Sequence, residues 1–244
     1  MGIVVGILLC IVLLLFLTWR LRSRKSFPLR PIPAFKTLQG LVGRMAESAK
    51  VVHLGLGTSS VHTDQAAMTV TGLTMLRYLA EQGVAFGVSP MTTVADPVTL
   101  LAAQDVLYRA YQQKGGAAGY RSTDVQLIAP DATAYAVGAQ SAVEQKRVAA
   151  NVMIGHFDQE YLLLGEPGAQ RGIVQMVGSD TVSAQPFMQA TSEHALLGEQ
   201  VFATGAYLTK RPIHIASLCV QDIARILIVL FVIAAVVIKT LIGS

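Results

Sequence analysis

Two histidines stand where they could do chemistry. His62 lies two residues before Asp64, and His156 lies two before Asp158 and four before Glu160. An imidazole beside a carboxylate can serve as a general base, and such a set could bind zinc or iron if its loops converged. Neither H-x-D spacing is a metal signature, and Asp64 reads as the N-cap of a following helix, so no metal site is expected. His53 sits inside an apolar run and reads as a satisfied core histidine. His194 and His214 have no supporting pattern.

The motifs with a known mechanism are incomplete or absent. Gly55-Leu-Gly57 begins a dinucleotide fingerprint, but Ser60 stands where the third glycine belongs. The run ending at Val88-Ser89 offers no carboxylate to hold a ribose. There is no G-x-x-x-x-G-K-[ST] and no G-x-S-x-G, which excludes a P-loop and a nucleophile elbow. Catalytic residues and cofactor are left unassigned.

The elements that position these residues follow from the hydrophobic pattern. Apolar runs at 51–57, 84–88, 125–129, 151–155 and 173–177 read as strands. Helices are expected from Asp64 to Gly83, from Asp96-Pro97 to Gly115-Gly116, from Asp131 towards Ala149, and over 193–207. The stripe Phe35, Leu38, Leu41, Val42 and Met45 predicts one more, packed on its own domain rather than on headgroups. Alternation of this kind predicts an α/β fold: an open, mostly parallel, Rossmann-like sheet of about five strands with helices on both faces. Its carboxyl edge would collect the polar loops, where ligands bind at a switch point and helix N-termini suit an anion. The candidate ligand-binding residues are therefore Gly57, Ser59, Ser60, His62, Thr93, Asp131, His156, Asp158, Ser179 and Asp180. The same residue types also serve as turn formers and caps.

The chain ends read differently. Residues 2–19 carry no charge and end at Trp19, followed by Arg20, Arg22, Arg24 and Lys25. That order fits an uncleaved transmembrane helix (1–19) rather than a secretory signal, which carries its positive charge first. A basic, proline-rich tether (20–34) leads to a central α/β domain (35–209). A basic juxtamembrane segment (210–225) and a second transmembrane helix (226–242) follow, the latter short enough that a re-entrant or interfacial helix stays open. Basic residues flank both spans on the domain side, which places the domain in the cytoplasm and both termini outside an inner, cell membrane. Asp222 and Arg225 can pair on one helical face.

Of the 19 basic and 15 acidic residues, 7 and 13 lie between Val51 and Thr209, leaving 12 and 2 for the flanks. The folded domain is thus acidic and the membrane-proximal flanks basic, which argues for a lipid bilayer partner and against nucleic acid.

The stretch His53-Leu-Gly-Leu-Gly-Thr-Ser-Ser-Val-His-Thr-Asp64, with the Met-rich helix after it, resembles an uncharacterised family of bacterial two-span membrane proteins described as a domain of unknown function. The resemblance implies membrane residence and supplies no catalytic residues. The expected role is a membrane-anchored scaffold or ligand-sensing module, a homo-oligomer or part of a membrane complex. The alternative is a membrane-bound enzyme acting on a small anionic or lipid-derived substrate at the carboxyl edge.

Overall fold

The computed structural model describes residues 14–16, 18–19, 31–48, 50–114, 119–146 and 148–242. They fall into two units, one of residues 31–208 and one made of the chain ends, 1–30 and 209–244.

The first unit begins with α1 (Pro33–Ser48) and continues β1 (Val51–Gly57), α2 (Ala66–Ala85), β2 (Met91–Val94), α3 (Pro97–Gln113), β3 (Val125–Leu127), α4 (Ala132–Gln145) and β4 (Val148–His156). It ends α5 (Leu162–Gln170), β5 (Val174–Ser179), α6 (Gln185–Thr191), β6 (His194–Leu197) and α7 (Thr204–Thr209). The six strands form one sheet of order β3-β2-β1-β4-β5-β6, and every pairing is parallel. That is the doubly wound order, with its switch point between β1 and β4. Side chains alternate across it. Val52, Leu54 and Leu56 of β1 and Val152 and Ile154 of β4 join α1, α2 and α3 in one core. Met153 and Val177 join Tyr135, Leu164 and Met188 of α4, α5 and α6 in the other.

At the switch point the two strands approach so closely that only glycine fits. Gly55 pairs with Met153 but Gly57 with His156, so β4 carries one extra residue there. A Cβ on Gly155 would collide with the Leu56 carbonyl. On the neighbouring helix, a Cβ on Gly72 would come within 2.7 Å of the Ile154 carbonyl oxygen.

Several expectations need correction. The sheet has six strands rather than about five. Residues 84–88 are not a strand: α2 runs on to Ala85, and Gly87, at φ +73°, closes it. Gly87 N–H bonds to Val84 O and Val88 N–H to Gly83 O, the Schellman pattern, so the helix ends two residues beyond Gly83 and is closed by Gly87. The second strand is instead the polar stretch Met91–Val94. The expected helix over 193–207 opens as strand β6, passes through a single 3-10 turn at Gly198–Gln200 and becomes α-helical only at Thr204. α4 stops at Gln145, because β4 starts at Val148. Asp64 caps nothing, since Gln65 holds the N-cap position of α2 and the Thr63 and Gln65 carbonyls take its first N–H groups. The caps Asp96 and Asp131 are as expected, and Phe35, Leu38 and Leu41 bury α1 on its own domain. Gly115 and Gly116 lie outside the described residues.

In the second unit, residues 14–16 and 18–19 are helical and α8 (Pro212–Ile242) runs unbroken for 31 residues, about 46 Å at the α-helical rise. The expected helix 1–19 otherwise lies outside the described residues, as does the tether 20–34 except for 31–34. No break at residue 225 separates a juxtamembrane segment from a span, because one helix carries through both. Its stretch Pro212–Leu230 is long and apolar enough to cross a membrane, the one such stretch found among the described residues. Asp222 and Arg225 pair at 3.7 Å.

The close approach at the switch point gives a sharp contrast between two glycines. Gly155→Ala is expected to cost about 2–3 kcal/mol of stability, by forcing backbone apart. Gly87→Ala, where a Cβ meets nothing within 4 Å, should cost about 1 kcal/mol from its positive φ alone. Urea unfolding of the detergent-solubilised protein measures both, and equal losses would contradict the packing of β1 on β4.

Candidate functional site

A row of buried polar side chains crosses the sheet on the α4–α6 face. His53 of β1, Asn151 of β4 and Gln175 of β5 are register partners, and each is at most 1% exposed. The direction of their hydrogen bonds is set by backbone at both ends. Gln175 Nε2 donates to the Gly165 and Thr191 carbonyls, each at 2.7 Å, so its Oε1 must accept, and Asn151 Nδ2 donates to it at 3.3 Å. Asn151 therefore turns Oδ1 to His53 Nδ1, 2.6 Å away, and the imidazole carries its proton there. Nε2 is left to accept from the Thr93 hydroxyl at 2.9 Å. Thr93 Oγ1 lies 2.9 Å from the Tyr135 hydroxyl, which accepts the Gly57 N–H at 3.2 Å. Burial takes the His53 pKa down to about 4 against the opposing Asn151 bond. Burial likewise pushes Tyr135 up to about 12. The row is neutral at pH 7 and serves as a register lock.

Above this row, at the carboxyl edge, the loops brace one another. Thr58 donates both its N–H and its hydroxyl to the His156 carbonyl, at 3.1 and 3.2 Å, tying the β1 loop to β4. Ser59 donates to Leu56 O at 2.9 Å and accepts on its carbonyl from the Thr99 hydroxyl at 3.2 Å. The buried Ser60 hydroxyl lies 2.7 Å from His62 Nδ1 and also meets Asp96. Burial raises the Asp96 pKa, but the Thr99 N–H and hydroxyl, Ser60 and the charge of His62 outweigh it and hold the carboxyl below its ordinary value. His156 Nδ1–H donates to Asp180 Oδ1 at 2.8 Å, leaving Nε2 as its second ring nitrogen. The Ser179 hydroxyl accepts from Phe157 N–H at 3.1 Å and donates to Phe157 O at 3.0 Å, and Ser183 donates to Asp158.

Nine of the ten expected residues thus lie at one edge of the sheet; Thr93 does not, being buried in β2 against His53 and Tyr135. The pairings differ from the H-x-D spacings. His62 meets Ser60 rather than Asp64, and His156 meets Asp180 rather than Asp158. Among the described residues no hydrogen bond joins the His62 pair to the His156 pair, and no three His, Cys, Asp or Glu converge as a metal cage. Tyr135, Asn151 and Gln175 were not singled out from the sequence. Their signal was there, as lone polar residues inside buried strands for Asn151 and Gln175, at the same strand phase as His53.

The edge also has one sign of charge. Each strand-to-helix loop (58–65, 95–96, 128–131, 157–161, 180–184 and 198–203) contains Asp or Glu, and none contains Lys or Arg. The N-termini of α3 and α4 already hold carboxylates, from Asp96 to Thr99 N–H at 2.7 Å and from Asp131 to Ala134 N–H at 2.9 Å. Those two termini are closed to an anion, whereas α2, α5 and α6 start without a side-chain cap and have no cationic side chain in the loop before them to hold a phosphate.

The chain belongs to the family described as a domain of unknown function, DUF6754, whose model matches residues 1–244. Comparison with curated proteins and with solved structures returns no match.

The His53 contribution to stability has a definite pH dependence. Unfolded imidazole protonates near 6.5 and the buried one only near 4, so between those values the unfolded chain binds the extra proton. Stability from this group is complete above pH 6.5 and falls by roughly 3 kcal/mol as pH drops to 4. Urea unfolding across that range measures the slope, and His53→Gln should flatten it. An unchanged slope in the variant would remove His53 from the account.

Proposed function

We propose that this family member is a membrane-anchored scaffold or ligand-sensing module, oligomeric, with its α/β domain in the cytoplasm. One observation carries the reading. The polar side chains at the switch point are spent on bracing the loops, through Thr58 on His156, Asp96 on Thr99 and Asp180 on His156. A nucleotide-binding or phosphoryl-transfer site would need open N–H groups and cationic side chains at that edge.

Anchoring is supported by both chain ends. Phe35 stacks on Tyr207 with ring centroids 4.8 Å apart, so the domain's entry at residue 31 and its exit at residue 208 are held together. Two exits side by side suit a domain fastened through both ends to one bilayer. The apolar stretch of α8 supports one span, and the apolar run before Trp19 supports a second. Arg20, Arg22, Arg24 and Lys25 after the first, and Lys210 and Arg211 before the last, support a cytoplasmic domain.

A second reading, an enzyme at the carboxyl edge, is favoured by the His156–Asp180 pair. A carboxylate on Nδ1–H fixes the tautomer and leaves Nε2 as a base. The absence of lysine and arginine from every loop of that edge turns the substrate from an anion to a neutral or cationic molecule.

Native mass spectrometry of the detergent-solubilised protein separates the two readings. A multimer without retained small molecule is expected. A monomer carrying a stoichiometric small molecule would move the assignment to the enzyme. In sealed right-side-out membrane vesicles, added protease should leave the domain intact until detergent opens them, and digestion before that would overturn the topology.

A further inference from the structure

We propose that the acidic carboxyl edge of the sheet docks on the basic amino edge of a second copy, joining copies head to tail. The proposal rests on the oligomeric reading above and names the surfaces that build it.

The two edges of the domain carry opposite charge. At the carboxyl edge the six loops contribute Asp64, Asp96, Asp131, Asp158, Glu160, Asp180 and Glu199, with no basic residue among them. At the amino edge stand Lys50 before β1, Lys114 after α3, Arg121 before β3, Lys146 before β4 and Arg171 after α5. Asp124 offsets Arg121 at 3.5 Å, Glu144 pairs with Arg171, and the exposed Glu193 before β6 is a third acid at this edge, which stays basic on balance. Lys50, Lys114 and Lys146 are exposed, and among the described residues they form no ion pair.

Helix capping accounts for part of this polarity. Asp96 and Asp131 cap α3 and α4, and bases near helix C-termini are favourable for the same reason. Capping does not account for Asp64, which is exposed and caps no helix, nor for the complete exclusion of lysine and arginine from six loops.

Exposed apolar side chains lie among the same loops. Val182 is 75% exposed, Phe202 45% and Val61 37%, while Phe86, on the turn at the opposite edge, is 58% exposed. Apolar side chains within a charged rim have the composition of a protein interface. Pairing like edges would oppose carboxylate to carboxylate, so a two-fold contact through either edge is disfavoured. Opposite edges are complementary, and a contact of that kind is heterologous, building rings or chains rather than closed dimers.

Mass photometry or native mass spectrometry of the full-length protein in mild detergent tests this. Asp64→Lys with Val182→Lys puts two positive charges at the exposed part of the carboxyl edge without touching a cap or a bracing bond. Lys50→Glu with Lys114→Glu and Lys146→Glu reverses the amino edge. Each variant alone should run as a monomer, and a 1:1 mixture of the two should recover multimers. Wild-type multimers should also fall apart as salt rises from about 0.05 to about 1 M, as exposed charge pairs are screened; that holds whether or not a variant folds. Multimers indifferent to salt and to both sets of substitutions would overturn the docking and leave the oligomeric reading standing. A wild-type monomer would overturn the oligomeric reading itself.

Discussion

The contact between β1 and β4 is the constraint on which the domain depends. β1, β2 and β3 form one half of the sheet and β4, β5 and β6 the other, and within the sheet this pairing alone joins them. Apolar side chains could hold two parallel strands together in more than one register. His53 and Asn151 cannot: they face each other across the seam at 2.6 Å, fully buried. A slip of one residue would turn His53 to the other face and strand buried donors and acceptors. Glycine at position 155 then allows the β4 backbone to lie against Leu56. Register is thus set by polar groups and close approach by the lack of a side chain.

Closing that seam changes what the switch point can do. In a doubly wound sheet the strands on either side of it diverge into a crevice whose helix N-termini receive phosphate. Here Thr58 is fastened to the His156 carbonyl by two bonds, and α3 and α4 begin on their own aspartates. The topology is that of a nucleotide binder while the local chemistry is that of a braced platform. The imidazole of His156, held at Nδ1 by Asp180, keeps Nε2 available for chemistry.

Legibility in the sequence followed the range of the interactions. Local signals were readable: Asp96-Pro97 and Asp131 start helices as expected, β1 spans the residues its apolar run marked, and His53 is a core histidine with both nitrogens bonded. β2 and β6 were not readable, because β2 contains Thr92 and Thr93, whose burial depends on neighbours supplied by the fold, and β6 lies in a stretch whose pattern reads as helix. The run 84–88 imitated a strand because both Gly83 and Gly87 could have ended α2. Gly83 is buried in the helix, and only Gly87 takes positive φ. At the edge, the residue types were legible and the pairs were not. His156 finds Asp180 twenty-four positions away, a distance that no H-x-D spacing encodes.

The acidic edge follows from the same all-parallel geometry. Every crossover helix presents its N-terminus there, and each N-terminus carries partial positive charge. Carboxylates in those loops therefore stabilise the helices behind them, which is why an edge so rich in Asp and Glu is compatible with a stable monomeric fold. Asp96 and Asp131 discharge that role through bonds to Thr99 and Ala134. Asp64 makes no such bond, and the exposed side chains of Val61, Val182 and Phe202 have no capping role. The charges that build the domain thus also polarise it. The surplus, acidic and apolar together at one end and lysine-bearing at the other, has the form of a surface matched to its own opposite rather than to a small phosphorylated ligand.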